Sequence, residues 1–167
     1  MDKLIDLIPI SEFPEGATAP LNWSLALWGD HIPGYSRSDW IAFYEKARGA
    51  DYSHWDSAGT DQELIYLAVK NHEVVGAIAL VDFDDLEEFR HLKPWVAAFI
   101  VKPELRGAGI GTQMLTLLEA KARVLGIKKL YLWTEDQTVF YKRRGYRFEA
   151  SSRLGPLGFD LLSKALD

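Results

Sequence analysis

The 167-residue sequence contains no cysteine. Disulfides, thiolate zinc sites and a covalent cysteine nucleophile are therefore excluded, and a reducing cytoplasm is the expected location. Histidine is scarce. The four residues, His31, His54, His72 and His91, include no pair at the i, i+2 or i, i+4 spacing that sets two ligands on one strand or helix face, so no metal is expected. Positive charge is also in deficit, with 19 lysines and arginines against 24 acidic residues and a net charge of −5. Nucleic acids are bound by clustered basic side chains, and only Lys142-Arg143-Arg144 forms such a stretch, so no nucleic-acid partner is expected. Nor does any apolar run approach the roughly 18 to 20 residues needed to cross a bilayer. The first ten residues carry acidic side chains and no apolar segment with a small-residue cleavage site. Neither a membrane partner nor export is expected.

What is present suits one soluble domain over residues 1–167: 48% hydrophobic and 26% charged residues, with no linker-like composition shift. Lys3 to Ile10 reads as a short strand, and Pro14 to Trp28 and Ser38 to Arg48 as helices, the second capped by Ser38. Glu63 to Val69 and Val74 to Val81 read as a hairpin across Lys70-Asn71-His72-Glu73. An acidic connector, Asp82 to Glu88, leads to Trp95 to Val101, an apolar run suited to a central strand. Thr112 to Leu125 has helical periodicity and a stop at Gly126. Lys129 to Trp133 is a further strand, Thr138 to Arg144 a short helix, and Tyr146 to Ser151 and Gly158 to Leu162 the last strands. This order predicts a mixed α/β sheet covered by helices on both faces. Gly155-Pro156-Leu157-Gly158 interrupts the last two strands and leaves their pairing open, exchange between subunits included.

Between the central strand and the following helix lies Arg106-Gly107-Ala108-Gly109-Ile110-Gly111. Glycines let backbone approach a ligand closely, and a helix start presents free N–H groups, so the loop suits a pyrophosphate. It is not a P-loop, because Gly111 is followed by Thr112-Gln113 and not by Lys-Ser/Thr. It also lacks the spacing and the early position of a dinucleotide loop. A tight turn with no ligand is the other reading of glycines alone.

Val101-x-Pro103-x-x-Arg106-Gly107-x-Gly109-Ile110-Gly111 resembles the Arg/Gln-x-x-Gly-x-Gly/Ala signature of the GNAT acetyltransferases. Phe140-Tyr141-Lys142-Arg143-Arg144-Gly145-Tyr146 is similar to that family's downstream Tyr-x-x-x-Gly-aromatic element, in the same order. The resemblance covers Trp95 to Phe148. It implies the acyl-CoA N-acyltransferase fold, a mostly antiparallel sheet of six to seven strands splayed at its middle with about four helices, and acetyl-CoA as the cofactor. It further implies that Phe99, Ile100 and Val101 pair with the pantetheine arm. The pyrophosphate falls to the N–H groups of Arg106, Gly107, Ala108, Gly109, Ile110, Gly111 and Thr112, while Thr134 and Phe140 line the opposite wall. Tyr141 matches the tyrosine that protonates the leaving thiolate. The implied reaction is direct attack by the primary amine of a small molecule or a peptide, in a monomer or a homodimer.

Some relatives carry a glutamate base at the position of Trp95, so the base here is sought among Asp82, Asp84 and Glu88 or in relayed water. Trp28, Tyr35 and Trp55, near glycine and proline breaks, are candidates for the acceptor pocket, with Asp82, Glu88 and Trp95 beside them. The missing glutamate also leaves open a module that binds acyl-CoA without turning it over.

Overall fold

The computed structural model describes residues 4–56, 58–59 and 61–167. Its strands are β1 (Asp6–Pro9), β2 (Glu63–Lys70), β3 (Glu73–Val81), β4 (Trp95–Val101), β5 (Lys129–Thr134), β6 (Arg147–Leu154) and β7 (Leu157–Ala165). Its helices are α1 (Thr18–Trp28), α2 (Arg37–Arg48), α3 (Ile110–Val124) and α4 (Thr138–Lys142). All seven strands join one sheet in the order β1-β2-β3-β4-β5-β7-β6, antiparallel except between β4 and β5. The expected mixed sheet with four helices is the observed architecture.

Several boundaries differ from the sequence reading for local reasons. The first strand stops at Pro9, and Ile10–Glu12 and Pro14–Ala17 form 3-10 turns before α1; Lys3 lies outside the described residues. The cap of α2 is Ser36, not Ser38. Its hydroxyl accepts from the Asp39 N–H at 3.2 Å, and the Asp39 carboxylate accepts from the Ser36 N–H at 2.7 Å. The reciprocal pair needs a side chain that can answer three positions after the capping hydroxyl, and Ser38 has Ile41 there. Asn71 and His72 both take positive φ, at 52° and 65°, as a two-residue hairpin turn between β2 and β3 requires. Gly155-Pro156, expected to break the last hairpin, is instead its two-residue turn, with Leu154 opposite Leu157. β7 lies between β5 and β6 in the sheet.

The two faces of the sheet hold separate cores. On one, α3 presents Ile110, Met114, Leu115, Leu118 and Ala122 to Leu64, Ile78, Leu80, Leu130 and Leu132. Each fully buried leucine or isoleucine contributes about 1.5 to 3 kcal/mol relative to exposure. α3 ends in a Schellman arrangement, with Ile127 N–H to Ala122 O and Gly126 N–H to Arg123 O, both at 3.0 Å. On the other face Trp40, Phe43, Tyr44 and Ala47 of α2 cover Ile65, Leu67, Ala77 and Ala79.

Candidate active site

β4 and β5 run parallel but share one registered pair, Trp95 with Tyr131, reinforced by a 3.0 Å bond from Tyr131 N–H to Pro94 O. Beyond that row the strands part. The cause lies in β4 itself: Ala77 pairs with Ile100 and Ala79 with Ala97, so Ile78 faces two residues, Ala98 and Phe99, and Ala98 takes φ +49°. Such a bulge bends and twists its strand. Here it turns the second half of β4 away from β5, and Phe99, Ile100 and Val101 border the resulting gap.

The glycine loop closes the wide end of the gap. Pro103–Leu105 make a 3-10 turn, Arg106 is extended and holds the Val101 carbonyl through its Nε at 3.2 Å, and Gly107 and Gly109 take φ of +83° and +85°. Nothing lies within 4 Å of where a Cβ would stand on either glycine, so backbone conformation, not crowding, requires them. Gly109 is the N-cap of α3 and no side chain caps the helix, which leaves the first-turn N–H groups of Ile110, Gly111 and Thr112 available to an anion. Across the gap stands α4. Phe99 and Phe140 face each other at 6.5 Å, and Arg144 ties the two sides together: Nε and Nη2 donate to Thr112 Oγ1 at 2.9 and 2.6 Å, and Nη1 to the Phe140 carbonyl at 2.7 Å. That fork accounts for one member of the basic stretch; Lys142 and Arg143 are exposed. Thr134 is buried and accepts from the Gln137 N–H at 3.0 Å, which starts α4. The gap, the uncapped helix start and the open glycines fit a pyrophosphate carried on a long arm.

A cavity of about 440 Å³ continues from the gap to the other face of the sheet. Phe99, Thr134 and Tyr141 line one end. Trp28, Tyr35 and Trp40 line the other, with Trp28 stacked on Trp40 at 5.5 Å and Tyr35 edge-on to it at 5.3 Å. Tyr141 packs edge-on against Phe140 and Tyr146, and burial, with Asp136 adding to it, pushes its phenol well above the ordinary value. It stays protonated at every physiological pH.

Of the acceptor candidates, Trp28 and Tyr35 reach the cavity and four others do not. Trp55 is buried in the core beneath α3. Asp82 is buried at the end of β3, where its N–H bonds Gln62 O at 3.1 Å. Glu88 is exposed and accepts from Ser152 Oγ at 2.5 Å. Trp95 is 1% exposed, with its indole N–H on the Leu92 carbonyl at 2.6 Å. The acidic residues that do line the cavity are Glu63, Asp84, Asp85, Glu135 and Asp136. Asp84 was legible as part of the acidic connector. Glu135 and Asp136 follow β5, whose carboxyl end lies beside that of β4, the usual ligand end of parallel strands.

Burial raises Asp84 well above the usual carboxylate range, and the charge of Asp85 adds to the shift. The Trp133 indole, which donates to the Asp84 carbonyl at 3.1 Å, works the other way. Burial, then Asp39 and Glu63, pushes Asp85 up to about 6. An acid whose pKa is raised by folding favours the fold at pH below its unfolded value and loses that contribution as pH rises through the folded value. Asp85→Asn is therefore expected to match wild type near pH 4 and to gain about 1 to 3 kcal/mol by pH 7. Thermal denaturation at both pH values checks it; a Tm offset that does not grow with pH would rule out this source of strain.

Residues 27–146 match the sequence profile described as the acetyltransferase (GNAT) family. Among curated proteins, the chain is 35% identical over 88 residues to the aminoalkylphosphonate N-acetyltransferase of Salmonella typhimurium, covering 48% of this chain and 54% of that one. It is 42% identical over 52 residues to the N-alpha-acetyltransferase 80 of Mus musculus, covering 31% and 17%. The chain thus spans about half or less of these relatives' length. Among solved structures, an aminoglycoside 6'-acetyltransferase type Ii superposes with a TM-score of 0.70 at 16% identity, over 99% of this chain and 98% of that one. A putative acetyltransferase from Salmonella typhimurium with acetyl-CoA gives 0.65 at 17% identity, over 99% and 95%. At such identities these two likenesses speak for the fold, whereas the profile match runs through the bulged strand, the glycine loop and the Tyr141 turn. On that match the chain belongs to the acetyltransferase (GNAT) family.

Proposed function

We propose that the chain is an N-acetyltransferase that moves the acetyl group of acetyl-CoA to a primary amine of a small molecule or peptide by direct attack, in the cytoplasm. The observation that carries this reading is the parted β4–β5 pair, which opens at one end on an uncapped helix start and at the other on a cavity holding Tyr141. The donor supplies an activated thioester; the chain's own residues bind, orient and handle protons. Backbone of Phe99, Ile100 and Val101 would hold the pantetheine arm, and the N–H groups from Arg106 to Thr112 the pyrophosphate, with Thr134 and Phe140 on the facing wall. A neutral amine nitrogen bonds to the acetyl carbon, the carbon–sulfur bond breaks, Tyr141 protonates the leaving thiolate, the proton lost by the amine passes to solvent, and solvent returns a proton to Tyr141.

The name of the Salmonella relative points to amines that carry a phosphonate. We do not extend that substrate to this chain, because five carboxylates on the cavity wall would repel it.

Gly111 supplies the test. A Cβ there meets Phe99, Val101 and Phe140 at ordinary contact distances of 3.5, 3.7 and 3.9 Å, so a larger side chain grows into the gap without breaking α3. In calorimetric titration wild type should bind acetyl-CoA in the micromolar range and ignore NADH, whereas Gly111→Leu should bind acetyl-CoA at least about 10-fold more weakly with Tm little changed. Wild type that fails to bind acetyl-CoA would remove the basis for the reading.

A further inference from the structure

Among the described residues, the wall of the cavity carries five carboxylates and no lysine, arginine or histidine. Nearby side chains answer two of the five: Lys46 reaches Glu63 Oε1 at 3.4 Å, and the His31 imidazole meets Glu135 at 3.0 Å. Among the described residues, Asp84 and Asp85 take part in no ion pair, and no three potential ligands gather as a metal site. Two further polar atoms of the lining are buried without a partner. Glu63 Oε2 is an acceptor that calls for a donor, and the indole N–H of Trp40, a residue only 4% exposed, calls for a lone pair. A cavity with unmet polar groups among stacked aromatic rings is built for a polar ligand.

The acids are not spread evenly. Glu63 pairs with Val81, and Val81 with Trp95, so Glu63 and the Asp82–Asp85 connector that leaves β3 lie in the row where β4 begins. The bulge at Ala98 and the end of the gap lie three residues along β4, a rise of roughly 10 Å.

We propose that the acceptor is an elongated amine with at least two basic nitrogens, one acetylated beside Tyr141 and a second, protonated, held by Glu63, Asp84 and Asp85 against the rings of Tyr35 and Trp40. The assignment rests on the acetyltransferase reading for the first nitrogen and on the cavity alone for the second. Carboxylates and ring faces both attract an ammonium, and the attraction grows in a site largely shielded from water. A lone pair or hydroxyl along the same molecule satisfies the Trp40 N–H. The groups facing Asp85 are Asp84, Asp39, Glu63 and the Tyr35 phenol, none of them cationic. With Asp85 pushed up to about 6, retention of the second nitrogen strengthens as pH rises through that value and persists until the amine itself loses its proton near about 10.

The experiment titrates 1,8-diaminooctane, 1-aminooctane and 1,3-diaminopropane into the chain at pH 5 and pH 8, with and without desulfo-CoA, and compares kcat/KM for acetyl transfer to each. At pH 8 the long diamine should bind at least about 30-fold more tightly than 1-aminooctane, and the short diamine should not share the advantage. The preference should shrink several-fold at pH 5. Asp85→Asn should cost the long diamine roughly 10-fold in affinity, while Asp6→Asn, which removes the same charge on β1, should not. Equal binding of diamine and monoamine at pH 8, or a diamine affinity indifferent to Asp85→Asn, overturns the proposal. Diamine binding with no acetyl-CoA binding would uphold the cation site and sink the acetyltransferase reading; monoamine turnover with no diamine preference would do the reverse.

Discussion

Tyr141→Phe is expected to lower kcat about 100-fold or more while leaving acetyl-CoA affinity within about threefold, the effect of losing a positioned general acid. The substitution removes one oxygen and keeps the ring. Phe140 at 5.1 Å and Tyr146 at 5.7 Å still pack edge-on against it, so the stability change should stay within about 1 kcal/mol. A 100-fold loss corresponds to about 2.7 kcal/mol of transition-state stabilisation. The pH profile gives an independent check. Burial raises the phenol, so the protonated donor persists through the alkaline range and wild-type kcat should show no fall from Tyr141 up to about pH 10. Single-turnover release of free CoA measures the step itself. A variant that released CoA as fast as wild type would show that solvent protonates the thiolate and that Tyr141 only packs.

The parts of this structure that repeat locally were readable in the sequence. α3 declared itself by Met114, Leu115, Leu118 and Ala122 at helical spacing and by Gly126 at its end, and the β2–β3 hairpin by two apolar runs around Asn71-His72. The glycine loop and the short helix α4 before Gly145 were readable because each is a short motif in a fixed frame. What could not be read depends on non-local register. The bulge that parts β4 from β5 exists only because Ile78 faces both Ala98 and Phe99, and nothing in the run Trp95 to Val101 marks which residue is the extra one. The same holds for the cavity. Asp82 and Asp84 lie two apart in one acidic segment, yet Asp82 is buried at the strand end while Asp84 faces the cavity with Asp85, whose φ of +64° turns the connector there. Trp55 and Trp28 both adjoin breaks in the chain, but they fall on opposite faces of the sheet.

A buried cluster of charges under the Tyr141 turn also escaped the sequence, because its members come from three distant segments. Glu119 on α3 is 5% exposed. Its Oε1 accepts from Lys164 Nζ and its Oε2 from the Tyr146 hydroxyl, each at 2.9 Å. Lys164 also donates to the Arg144 carbonyl at 2.9 Å, and the Tyr141 carbonyl accepts from the N–H groups of Arg144 and Tyr146 at 2.9 and 3.1 Å. The cluster therefore anchors the turn that carries Tyr141 to α3 and β7. Lys164→Met strands the Glu119 carboxylate with one neutral donor, and breaking a buried pair from one side costs about 3 to 5 kcal/mol. For a domain of this size that is a drop of roughly 6 to 20 °C in Tm. The double variant Glu119→Leu/Lys164→Met should recover most of the loss, since the cost lies in the unpaired charge and not in the absence of the pair. Two losses that simply add would instead mean that each side chain stabilises through its own packing. Because the turn loosens with the cluster, the single variant should also lose acetyl-transfer rate at temperatures well below its Tm, and the double variant should regain stability ahead of rate, since Tyr146 then lacks the carboxylate that holds its hydroxyl.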